Sequence, residues 1–213
     1  ILGEEAAKLG AFVIHYSTDY VYEGDKVGYY VESDPTNPQS VYGRTKLEGE
    51  LALAAATEQH VILRTSWVVG AHGGNFAKTM LRLAADREEL KVVADQFGAP
   101  TSAALIADVT AHILRQHQRE GGQAFPSGTY HLAAGGETSW HQYAQFVIGE
   151  ALGRGKVLRA HPDRVLPIPA SAYPTPAKRP QNSRLDSQRL RAAFDLHLPH
   201  WQQGVSHILQ QIL

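Results

Sequence analysis

With 213 residues, 43% of them hydrophobic, the chain is long enough to bury one large domain, or one domain and a small lobe. Its 20 basic and 21 acidic residues are mixed to a net charge of -1, so nothing suggests a nucleic-acid stripe or a basic membrane anchor, and the absence of cysteine excludes disulfides and thiolate metal sites. No apolar run approaches the roughly 20 residues that span a bilayer, and Glu4, Glu5 and Lys8 interrupt the only apolar stretch near the start, so no signal peptide is read and cytoplasm is the expected location.

Residues 2–10 read as the tail of a helix stopped by Gly10, so the chain is expected to begin partway through a fold. Residues 11–16 form a short apolar, β-rich run, the pattern of a buried parallel strand, and they deliver Ser17-Thr18-Asp19 to its C-terminal edge. In open α/β sheets that edge is where ligands bind. A loop with Gly24, Gly28 and Pro35 follows, and Asn37-Pro38 has the form of an N-cap with proline at the first helical position, opening a helix to about Thr57. Residues 60–69 read as one strand ended by Gly70, which completes a βαβ unit.

A helix from about Asn75 to Asp86, a strand over 90–94, a loop over 95–101 and a helix capped by Ser102 and running to about Gln118 come next. Gly121-Gly122 and Pro126-Ser127-Gly128 bracket a polar connector. Residues 129–132 read as a strand, and Thr138 opens a helix to about Leu152. Residues 153–184 are proline-dense and read as extended loop wrapped on a surface, with Val165, Leu166, Ile168 and Tyr173 available to bury. Two helices, over 187–194 and 199–213, close the chain.

Tyr42 and Lys46, four apart on a helix, share one face. An ammonium beside a phenol favours the ionised form and makes the phenol a usable proton donor; the alternative is an aromatic ring packed on an aliphatic lysine stem. The surrounding motifs are Tyr16-Ser17-Thr18-Asp19-Tyr20-Val21-Tyr22, Val41-Tyr42-Gly43-Arg44-Thr45-Lys46-Leu47-Glu48-Gly49-Glu50, Arg64-Thr65-Ser66-Trp67, Asn75-Phe76-Ala77-Lys78, residues 95–101 and residues 173–185. Together they cover nearly the whole chain, and in them it resembles the dTDP-4-dehydrorhamnose reductases of the extended short-chain dehydrogenase/reductase superfamily.

The resemblance implies an α/β fold. Residues 1–130 would hold the remainder of a Rossmann-like, doubly wound parallel sheet for NAD(P), with interleaved substrate-lobe segments, and residues 131–213 mainly a small α/β substrate-binding lobe. The superfamily's Gly-rich pyrophosphate turn is not among these residues. The implied reaction is reduction of the C4 keto group of a dTDP-linked 4-keto-6-deoxy sugar, dTDP-4-dehydro-L-rhamnose, by NADPH or NADH. A non-catalytic binding subunit and a related 4-ketosugar reductase are the alternatives.

By the same resemblance Tyr42 is the proton donor, Lys46 activates it, Thr18 hydrogen-bonds the carbonyl oxygen, and Tyr42, Lys46, Thr65 and Ser66 bind cofactor. Nucleotide-sugar 4,6-dehydratases carry an acidic residue where this chain has Tyr20, so the base for elimination is missing. Asp19 and Tyr20 are expected to orient the sugar, Asp19 having local capping as its other reading. Trp67 either lines the sugar pocket or packs in the core. Asn75 caps a helix and is also a substrate candidate. Lys178, Arg179 and Arg184 form either a solvated loop or a diphosphate site, with the arginine forks better suited to phosphate. The eleven histidines form no metal-binding spacing, so no catalytic metal is expected. Some family members bridge a dimer through magnesium on glutamates; the matching positions here are Ala104 and Gln202, neither acidic, so a homodimer is left open and metal bridging is not expected.

Overall fold

A computed structural model describes residues 1–120, 125–175 and 179–213, the side chain of Glu120 excepted. The expectations placed on Lys178 and on Gly121-Gly122 lie outside the described residues.

Helix α1 (Leu2–Leu9) ends at Gly10, whose φ of 62° turns the chain so that the Ala11 N–H reaches back to the Ala6 carbonyl. The chain then enters β1 (Val13–Thr18), crosses through α2 (Val41–Ala56) and returns as β2 (His60–Thr65). β2 pairs in parallel with β1 on one side and with β7 (Gly128–His131) on the other, and all six of its residues are buried. A strand flanked on both edges and covered on both faces needs the near-continuous apolar text that residues 60–63 supply.

The expected strand over 60–69 is two strands. Trp67 takes φ 47°, a left-handed conformation that a bulky residue rarely adopts, and the chain leaves the central sheet as β3 (Val68–Val69) to pair with β6 (Thr101–Ser102). Nor does the second helix begin at Asn37-Pro38. Asn37 gives its N–H to the Val21 carbonyl and its amide to Glu23, and the cap is Ser40, whose Oγ accepts from the Gly43 N–H.

Beyond the sheet lie α3 (Phe76–Asp86), β4 (Leu90–Val93), β5 (Phe97–Gly98), α4 (Ala103–Glu120), β8 (Thr138–Ser139), α5 (Trp140–Gly153), β9 (Val165–Ile168), α6 (Gln188–Phe194) and α7 (Trp201–Ile212). The expected helix start at Thr138 moves to Trp140, because Thr138 and Ser139 pair with β5 and Ser139 forms a capping box with Gln142. Residues 165–168, read from sequence as loop, are an edge strand parallel to β4 that exposes Pro167 on the side where no amide is needed. Of the residues expected to bury there, Val165 is 2% exposed and Tyr173 is 59% exposed.

Two cores result. Val61, Leu63, Ile113, Leu132, Leu190 and Phe194 join β2 and β7 to α4 and α6, while Ala77, Val147, Ile148, Val165, Val205 and Leu209 join α3, α5 and α7 to the β4–β9 pair. The architecture is an α/β fold with a parallel sheet and a second, smaller α/β layer. No helix among the described residues is long and apolar enough to cross a membrane.

Candidate active site

The C-terminal ends of β1 and β2 lie side by side, with Thr18 in register with Thr65. Thr18 caps the 3-10 turn that follows, accepting from the Tyr20 N–H at 3.2 Å and donating to Asp19 Oδ1 at 3.1 Å. Asp19 is buried, and desolvation pushes its carboxyl up to about 6 against the opposing hydrogen bonds of Ser183 and Thr18. Among the described residues its Oδ2 has no partner, and neither do the buried hydroxyls of Ser17, Thr65 and Ser66. Unpaired buried polar atoms are rare. These four gather at adjacent strand ends, where a ligand with polar groups would satisfy them, and the Tyr143 hydroxyl on α5 is unpartnered as well.

Helix α2 brings Tyr42 and Lys46 to the same place, and a glycine permits the approach. A Cβ on Gly43 would sit 2.2 Å from the Tyr20 carbonyl oxygen and 3.0 Å from Pro38 Cβ, so only glycine lets the first turn of α2 rest on the Tyr20 backbone. Tyr42, 53% exposed, meets the edge of the Tyr20 ring at 5.6 Å. Lys46 donates to the Tyr16 carbonyl, and its Nζ lies 3.4 Å from His15 Nε2. Burial, then the charge of Asp19, pushes the Tyr20 phenol up despite Arg179 nearby, so at neutral pH it stays protonated and cannot act as a base.

A cavity of about 800 Å³ lies apart from Thr18, Tyr42 and Lys46. It opens between α3, β4 and residues 170–175 and 179–181, with Phe76, Met80, Leu83 and Trp140 supplying apolar wall. Arg82, Arg87, Lys91 and Arg179 also line it, and no carboxylate does among the described residues. A flat apolar group carrying negative charge fits that lining. Arg179 also lines the narrow cleft beside Tyr20, so it joins the cavity to the strand ends.

The structure therefore brings Thr18, Asp19, Tyr20, Tyr42, Lys46, Thr65 and Ser66 together, with Arg179 at the border of the cavity. Other candidates are engaged elsewhere. Trp67 stacks on Trp140 with ring centroids 3.6 Å apart, over Gly98, where a Cβ would lie 2.7 Å from the indole. Asn75 donates to the Gly70 carbonyl and accepts from the Lys78 N–H. Arg184 pairs with Glu137 at 3.0 Å, donates to Asn182 Oδ1 and does not line the cavity. Arg82, Arg87 and Lys91 carried no sequence signal, because isolated cations on a helix and an alternating strand read as a solvated face. Gly43 was legible only as part of a motif. No group of three or more His, Cys, Asp or Glu residues that could hold a metal occurs among the described residues.

A family model for the RmlD substrate binding domain matches residues 1–213. The chain is 50% identical over 211 residues to a dTDP-4-dehydrorhamnose reductase of Shigella flexneri, covering 99% of this chain and 69% of the relative. A Burkholderia thailandensis protein of the same name is 45% identical over 214 residues, covering 100% and 72%. Among solved structures, a dTDP-4-dehydrorhamnose reductase from Clostridium acetobutylicum superposes with a TM-score of 0.87 at 33% identity, covering 98% of this chain and 69% of that one. Another from Bacillus anthracis, in complex with NADP, gives 0.81 at 31% identity, covering 100% and 69%. The chain belongs to the RmlD substrate binding domain family and, within the short-chain dehydrogenase/reductase superfamily, to the dTDP-4-dehydrorhamnose reductases, enzymes of nucleotide-sugar reduction.

Proposed function

We propose that the full-length protein reduces the C4 keto group of dTDP-4-dehydro-L-rhamnose to dTDP-L-rhamnose, using NADPH or NADH. What supports this reading is that Tyr42 lies edge-on to Tyr20 and Lys46 holds the Tyr16 carbonyl, both next to the strand end that carries Thr18, with the unpartnered hydroxyls of Thr65 and Ser66 on the adjoining strand end. Those hydroxyls and Lys46 are the groups that would hold a nicotinamide cofactor, and the hydroxyls' lack of partners among the described residues fits a polar ligand at the strand ends. Bound there, the cofactor supplies the hydride.

The protein supplies position and a proton. Thr18 Oγ1 hydrogen-bonds the substrate's carbonyl oxygen and steadies the charge that develops on it. Tyr42 gives its phenolic proton to that oxygen, and Lys46 keeps positive charge beside the phenolate left behind. Tyr20, a neutral phenol, offers no base to eliminate water, which favours reduction over dehydration. The cationic cavity takes the thymidine diphosphate, with Arg179 leading from it toward the sugar at Tyr20. In this division residues 1–130 carry the cofactor side with interleaved substrate segments, and 131–213 mainly the substrate lobe.

The test supplies full-length protein with dTDP-4-keto-6-deoxyhexose and follows NADPH absorbance. Tyr42→Phe lowers kcat by roughly 10²- to 10⁴-fold. No oxidation by the wild type, or undiminished oxidation by the variant, refutes the reading.

A further inference from the structure

Lys46 is held by the strand beside it. Its ammonium carries three donors. One goes to the Tyr16 carbonyl, and the His15 Nε2 lies 3.4 Å away, within reach of a second. One N–H then remains for a ligand or for the phenol. Gly49 on α2 lies beside the imidazole, where a Cβ would be in ordinary contact with Nε2 at 3.8 Å.

We infer that His15, in its neutral form, is the positioning residue of Lys46: it accepts a hydrogen bond from the ammonium and fixes the direction of the remaining donor. The inference rests on the reductase reading of Tyr42 and Lys46. A protonated imidazole has no lone pair at Nε2 and carries a charge that repels Lys46, so protonation releases the clamp. The charged groups acting on His15 are Lys46 and Glu50, both on α2, and its register partner on β2 is the apolar Ile62. Burial and then Lys46 depress the imidazole below its ordinary 6.5, against a smaller opposing effect of Glu50, which keeps it neutral around pH 7.

The full-length protein tests this by kcat against pH for wild type, His15→Ala and His15→Gln. His15→Ala lowers kcat roughly tenfold, the effect of one charge-assisted hydrogen bond, with KM for the sugar nucleotide unchanged. His15→Gln, whose amide oxygen accepts at every pH, recovers most of that loss and abolishes an acid limb that in the wild type lies below the ordinary histidine range. An alanine variant within twofold of wild type, or a glutamine variant that keeps the acid limb, overturns the inference. Nitrogen NMR of the imidazole reads the clamp without turnover. Nε2 is the unprotonated nitrogen at pH 7, and Lys46→Met shifts its resonance; a protonated Nε2, or no shift, overturns the clamp. Failure of the reaction reading looks different, because the wild type would then oxidise no NADPH or Tyr42→Phe would retain full activity, and the imidazole resonances report the clamp in either case.

Discussion

Glu50 and Arg64 face each other in a fully buried ion pair that fastens the helix bearing Tyr42 and Lys46 to the central strand. Arg64 Nε reaches Oε1 at 3.0 Å and Oε2 at 3.2 Å, and Nη2 reaches Oε2 at 2.6 Å. The remaining guanidinium nitrogen donates to the Tyr22 hydroxyl at 2.7 Å, which lies 2.7 Å from His131 Nε2. The network spans α2, β2, the loop after β1, and β7. It has a large share in seating α2, because that helix otherwise buries only Gly43 and Leu53.

Glu50→Gln strands the Arg64 charge in the interior and is expected to cost roughly 3–5 kcal/mol of stability, read as a lower midpoint in urea. Replacing both partners with apolar residues of similar volume costs less than Glu50→Gln alone. A single variant as stable as wild type would show that α2 is seated by other contacts.

Gly43→Ala tests the close approach of α2 to the 3-10 turn. The added Cβ meets the Tyr20 backbone carbonyl rather than a flexible side-chain end, so the helix must move. Stability falls by roughly 1–3 kcal/mol. Because the displaced element carries Tyr42 and Lys46, kcat falls by roughly tenfold or more, with little change in KM for the sugar nucleotide. Wild-type kcat in this variant would separate the glycine from the reaction centre.

Two buried groups tilt stability in opposite directions with pH. Burial, with Arg64 nearby, pushes His131 down to about 3, so between there and its unfolded value of 6.5 only the unfolded chain holds the proton, and stability falls as pH drops through that window. Asp19 is raised to about 6 from 3.8, so between those values only the native chain holds the proton, and stability falls as pH rises. A tenfold difference in proton affinity between native and unfolded chain is worth about 1.4 kcal/mol, so the loss at Asp19 across its window is roughly 3 kcal/mol. Asp19→Asn is therefore expected to be more stable than wild type at pH 7 and to lose the advantage near pH 4, as measured by urea unfolding at each pH. An advantage that grows with acid would refute the burial argument.

Neutralising the cavity separates binding from chemistry. Arg82→Ala, Arg87→Ala and Lys91→Ala each raise KM for the sugar nucleotide, by up to roughly tenfold for a lost charge-assisted contact. Their kcat stays near that of the wild type, and the effect shrinks at high salt. Steady-state kinetics at two ionic strengths provide the check. A variant that loses kcat with KM unchanged would move that cation to the reaction centre.

What the sequence by itself determined was local. The αL stop at Gly10, the Asn75 cap and the apolar text of β1 and β2 follow from spacing and residue type, and a Tyr-Lys pair at helical spacing marks one face wherever the helix goes. Tertiary contacts decided the rest. Trp67 leaves the strand because its backbone turns into the left-handed region to reach Trp140, and residues 165–168 become a strand because β4 offers an edge. Arg82, Lys91 and Arg179 meet only after α3, β4 and the C-terminal segment close on one cavity, while Arg184, equally cationic in sequence, is drawn to Glu137. Residue type sets what a side chain can do, but the packing of distant segments sets which charge it faces. Coulomb and burial energies depend on that distance in space, and spacing along the chain does not encode it.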